Sequence, residues 1–91
     1  MLSKLQIKQL KAKAHLLKPV VMVGQNGLTD NVHHEIDSAL EAHELIKIKI
    51  PALDAVEKKA LLEKILTQHQ AEKVMLIGRT LVIFRARKTE K

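Results

Sequence analysis

Cysteine, tryptophan and tyrosine are absent from this 91-residue chain, and its single aromatic ring is Phe84. Without cysteine there is no disulfide staple and no thiolate metal site, a composition that suits a reducing compartment. With one ring, the row of stacking aromatics common in single-strand nucleic-acid binders is excluded, so any nucleic-acid contact must rest on phosphate, sugar and shape. No apolar run approaches the roughly 20 residues that span a bilayer. The N-terminus alternates lysine with apolar residues and has no signal-peptide core, so a cytoplasmic protein with no membrane partner is expected. His15, His33, His34, His43 and His69 offer no pair at a common zinc spacing and no His-Glu-x-x-His helix, so neither a metal nor a cofactor is expected. Walker and Rossmann fingerprints are missing, as is a nucleophile with an evident base; no small-molecule substrate and no enzymatic activity are expected.

What is present is a patterned 46% of hydrophobic residues, enough for one domain over 1–91. Lysine and arginine number 16 against 10 acidic residues, a formal charge of +6. No acid precedes Asp30. A surface helix that is merely solvated mixes both signs for i,i+4 pairing. An acid-free stretch points to a polyanion, and the obvious one is a nucleic acid.

Ser3, with Gln6 three residues on, forms a capping box that starts a first helix. Ile7, Leu10, Ala14 and Leu17 make its apolar stripe, and Lys4, Lys8, Lys11 and His15 a basic row about 100° away. Pro19 ends it. Val20 to Val23 then read as a buried strand. Thr29 caps a second helix carrying Val32, Ile36 and Leu40 on one face and closing near His43. Leu45 to Ile50 alternates, with Lys47 and Lys49 turned to water. Pro51 opens a third helical region with Asp54 as its cap and Leu53, Val56, Ala60, Leu61 and Ile65 or Leu66 as its apolar face. Val74 to Ile77 and Leu81 to Phe84 are strands joined by a Gly78-Arg79 hairpin turn. Arg85, Arg87, Lys88 and Lys91 read as a basic tail, frayed from about residue 86. The order is αβαβαββ, an α+β fold with a mixed four-stranded sheet packed on helices in two layers. Its first three strands are parallel through crossovers and its fourth is antiparallel.

Between the first strand and the second helix stands Gly24-Gln25-Asn26-Gly27. Such a loop bares backbone amides beside a helix N-terminus, where a phosphate can sit. Parallel strands put it at the carboxyl edge of the sheet together with the Arg79 turn. A first helix antiparallel to the first strand would bring Lys4 and Lys8 to the same edge, with Lys18 and Arg85 at the other. His15, in the lysine row, is a further phosphate contact.

Three segments in this order resemble a known family: Leu17-Lys18-Pro19-Val20-Val21 running into Gly24–Thr29, then His43–Lys49, then Ile77–Arg85. Together they are similar to the CRM domain (chloroplast RNA splicing and ribosome maturation), in the stand-alone bacterial form of the YhbY family. The resemblance implies a small RNA-binding protein associated with precursors of the large ribosomal subunit. It also implies a fold similar to the C-terminal domain of translation initiation factor 3. In the family the Gly-x-x-Gly loop is implicated in RNA contact, which carries over to Gly24, Gln25, Asn26 and Gly27. Family loops often hold an inner lysine. Here Gln25 and Asn26 stand instead, so charge must come from Lys4, Lys8, Lys11 and Arg79. A monomer contacting the backbone of structured ribosomal RNA is the expectation. A protein-interaction adaptor on an acidic or ribosomal-protein partner is the alternative, and a small RNA-processing enzyme a more distant one.

Overall fold

The structure is a computed structural model and describes residues 2–86. Three helices and four strands follow in the expected order: α1 (Lys4–Ala14), β1 (Pro19–Met22), α2 (Asp30–His43), β2 (Leu45–Lys49), α3 (Ala55–His69), β3 (Glu72–Ile77) and β4 (Thr80–Phe84). All three helix starts are set by local chemistry. The Ser3 hydroxyl accepts from the Gln6 N–H at 3.1 Å, Thr29 from Val32 at 3.2 Å and Asp54 from Glu57 at 2.8 Å. Reciprocal side-chain bonds complete capping boxes at α1 and α3.

The sheet order is β1-β2-β4-β3. β1 and β2 are parallel, and β4 is antiparallel to both β2 and β3. The first three strands therefore share one direction, while β4 enters between β2 and β3. Its sequence explains the central place. Leu81 and Ile83 are buried toward one side of the sheet and Val82 toward the other, so the strand needs cover on both faces.

The main core lies on the side covered by α2 and α3, where Ile36, Leu40 and Ile65 meet Ile46, Ile48 and Ile83. A smaller core lies on the opposite side, under α1, where Ala14 meets Leu45, Val74 and Val82. Helix α1 covers only part of that side, so Lys49 remains in water although helices flank the sheet on both sides.

Three local readings change. Helix α1 stops at Ala14, five positions ahead of Pro19, in two tight turns closed by the Leu16 and Leu17 N–H groups; His15 becomes the cap residue. The β1 run is not buried on both faces: Val21 is in the core, while Val20 and Met22 are exposed. Val56 is exposed, and Leu62, Ile65 and His69 form the buried face of α3. So many apolar residues stand in that helix that two neighbouring stripes fit a 3.6-residue period equally well.

Candidate nucleic-acid interface

The Gly24–Gly27 loop lies at the carboxyl edge and stands open. Its turn is closed by the Gly27 N–H donating to the Gly24 carbonyl at 3.0 Å, and the N–H of Thr29 donates to the Gly27 carbonyl. Gly27 has a φ of +75°, so a side chain there would be strained. Gly24 has no such need. Its backbone is ordinary and a Cβ added to it would meet nothing within 4 Å. Gln25 and Asn26 are exposed, and their backbone N–H groups carry no bond among the described residues. The loop therefore offers two free backbone donors and two neutral side-chain amides. The α2 end behind it adds first-turn amides of Asp30 and Asn31, which by position have no acceptor within the helix. Asp30 itself complements that helix end, so the loop offers more to an anion than the dipole does.

Backbone bonds carry the loop toward the Arg79 turn. The Val23 N–H donates to the Lys49 carbonyl at 2.8 Å, and the next residue, Ile50, donates to the Arg79 carbonyl at 2.8 Å. Gly78 has a φ of +57° at the first of two turn positions, between the paired Ile77 and Thr80. Arg79 thus sits at the same edge as the loop, about 10 Å or two strand spacings away. Lys49, between them, belongs to the same cluster; the alternation that exposes it is visible in the sequence, but its place between the loop and the Arg79 turn depends on the strand order.

The lysine row of α1 does not flank the loop. The Leu2 N–H donates to a Glu72 carboxylate oxygen at 3.0 Å, and Glu72 opens β3, paired with the last residue of β4. The start of α1 is therefore at the amino edge, roughly 17 Å of strand from the Gly78 turn. A helix crossing the sheet, rather than antiparallel to β1, follows from where its stripe finds cover, over Leu45, Val74 and Val82. Lys4, Lys8, Lys11 and His15 are exposed on the outer side of α1. They share with Lys49 one side of the molecule. Asp37, Glu41 and Glu63 belong to the helices of the other side.

Arg85, grouped with the basic tail by its sequence neighbours, is instead an anchor. Its guanidinium donates to Asp37 Oδ1 at 2.9 Å, to the His69 carbonyl at 3.0 Å and to Glu41 Oε2 at 3.1 Å. Arg87, Lys88 and Lys91 lie outside the described residues. His69, buried at the end of α3, bonds Asp37 Oδ1 through Nδ1 at 3.1 Å and His33 Nδ1 through Nε2 at 2.9 Å. A carboxylate only accepts, so the hydrogen is on His69 Nδ1; with His69 neutral, Nε2 accepts from His33. The hydrogen bonds from His69 and then Arg85 hold the Asp37 carboxyl below its ordinary range. This array was missed in the sequence, because His33 and His69 are 36 positions apart and have no motif spacing. Its free-charge balance is unsuited to phosphate. A cavity of about 530 Å³ beside it is walled by Asp37, Glu41 and Glu72 against Arg85. Among the described residues no group of three or more metal-ligating side chains is assembled, and no helix is long and apolar enough to cross a membrane.

Residues 2–85 match the CRS1 / YhbY (CRM) domain model. The chain is 45% identical over 84 residues to an RNA-binding protein of Haemophilus influenzae, covering 92% of this chain and 85% of that one. It is 35% identical over 91 residues to YqeI of Bacillus subtilis, named a probable RNA-binding protein, covering 100% and 95% of the two chains. The solution structure of a Staphylococcus aureus protein superposes with a TM-score of 0.82 at 34% identity, over 100% of this chain and 95% of that one.

Proposed function

The chain belongs to the CRS1 / YhbY (CRM) domain family, and from that premise we propose that it binds RNA, as its relatives' names say of them. It grips the backbone at the carboxyl edge. The observation that carries this reading is the open Gly24–Gly27 loop, whose free donors stand in one edge with Lys49 and Arg79. Gly24 is the telling residue: neither its φ nor its surroundings require glycine, so the absence of a Cβ serves whatever approaches from outside. The Gln25 and Asn26 amides would donate to non-bridging phosphate oxygens, and Lys49 and Arg79 would supply the charge. The exposed Lys4, Lys8, Lys11 and His15 extend the cationic side toward the amino edge, so a structured RNA would lie across α1 and the bare sheet. Base identity is left largely unread.

The RNA we infer is ribosomal, in precursors of the large subunit, bound by a monomeric, non-enzymatic cytoplasmic protein; the likeness to stand-alone bacterial CRM proteins supports this finer role. Crosslinking in cells followed by sequencing of the attached RNA tests it. Enrichment of large-subunit precursor sequences is expected. Recovery dominated by other transcripts overturns the ribosomal role, and a partner that survives nuclease treatment favours a protein adaptor.

A further inference from the structure

Across the carboxyl half of the α1 side, the strand register lines up Met22, Lys49, Thr80 and Ile77. One residue comes from each strand, so the row spans about 14 Å, three strand spacings. All four stand opposite the main core, because Val21, Ile48, Leu81 and Leu76 beside them pack toward α2 and α3. Met22 is 66% exposed and Ile77 60%. Val20, at the bulge next to the row, is 52% exposed. Single apolar side chains on a surface are ordinary. Two of them in one register row, with a lysine and a threonine between, form a platform.

We propose that this row is a seat for unpaired nucleotides of the bound RNA. The proposal rests on the RNA-binding reading above and adds the form of RNA. A nucleobase face is apolar and aromatic. The Met22 thioether is suited to the edge of such a ring, and Ile77 supplies a flat aliphatic contact at the far end of the row. Rings are thereby replaced by aliphatic side chains, at a lower yield per base than aromatic stacking gives. Lys49 in the row takes phosphate charge, with Lys47 two pairs below it and Arg79 at the adjoining turn. None of the four row residues is acidic, and Lys47 and Lys49 form no ion pair among the described residues.

Paired RNA cannot use the apolar members of the row. Its bases are enclosed, and it presents phosphates, 2′-hydroxyls and groove edges to a flat surface. A protein partner is a poorer fit. A stable protein interface needs about 800 Å² from each side and avoids uncompensated cations at its centre, whereas this row is four residues long with lysine inside it.

The test compares two fluorescein-labelled RNAs with equal numbers of phosphates, a hairpin with an unpaired loop and a blunt duplex, on the parent and on the double variant Met22→Ser/Ile77→Ser. Both positions are exposed, so the variant stays folded, and its unfolding transition is recorded beside the parent's to check this. The parent is expected to prefer the hairpin. The variant is expected to bind the hairpin about fivefold more weakly, as the loss of two such contacts implies, with duplex affinity unchanged. Retention of the parental preference overturns the seat and leaves the row to a protein partner. An equal loss on both RNAs also overturns it. A parent that binds neither RNA overturns the RNA reading itself, whereas a parent that binds both alike refutes only the seat.

Discussion

Replacing Arg85 by methionine removes the guanidinium that ties the end of β4 to α2 and to the last turn of α3, while keeping an apolar stem. The Asp37 and Glu41 side chains are 58% and 65% exposed. Each ion pair is therefore screened by solvent and is worth at most about 1 kcal/mol. The bond to the His69 carbonyl, at 3.0 Å, satisfies an acceptor at a helix C-terminus and adds about 1 kcal/mol. The expected loss is about 2 kcal/mol, a fall in midpoint of roughly 8–16 °C for a domain of this size. Thermal unfolding followed by far-ultraviolet circular dichroism reads it directly. An unchanged midpoint would refute the clamp. A loss near 5 kcal/mol would refute the screening, since that is the cost of stranding a buried charge. The pH dependence carries a second check. Asp37 has its folded pKa depressed, by His69 first and Arg85 second. Its contribution is therefore complete above the ordinary carboxylate range, near pH 4, and fades as the pH falls through the lower folded value. Arg85→Met should make that acid loss shallower without abolishing it, because the His69 bond remains.

Two further outcomes are expected. Gln70 closes α3 in the left-handed region, at φ 53° and ψ 42°, where a non-glycine residue pays about 1 kcal/mol; Gln70→Gly should raise the unfolding midpoint by several degrees, and a lower midpoint would mean that its side chain has a role in the fold. Contact with about five phosphates would give log affinity against log salt a slope of about −4; a slope near zero on a structured RNA would remove the phosphates from the binding mechanism.

What could be read from the chain is what local chemistry determines. Ser3, Thr29 and Asp54 start helices because each accepts from an N–H three residues on, and three residues fit inside any reading window. The stripe of Ile7, Leu10 and Ala14 found its core for the same reason. The open loop and the Gly78-Arg79 turn were legible as chain geometry, because glycine marks positions that other residues avoid. What could not be read depends on distant partners. The entry of β4 between β2 and β3 depends on pairing across the sheet. The direction of α1 depends on where Glu72 and the Leu45–Val82 surface lie, some 70 positions on in the case of Glu72. Arg85 resembles its basic neighbours until Asp37 and Glu41 are placed beside it. The fold class, the Gly24–Gly27 candidate loop and the Arg79 turn at its edge thus emerged from sequence, whereas the place of Lys49 between them emerged only from the pairing of the strands.

Gly24→Leu isolates the contact between loop and nucleotide chain, because the position has ordinary backbone geometry and open space around it. With the unfolding midpoint equal to the parent's, affinity for a structured ribosomal RNA fragment should fall by about tenfold, the equivalent of one lost charge-assisted hydrogen bond. An unaltered affinity in that folded variant would mean that RNA does not approach the protein at this bend.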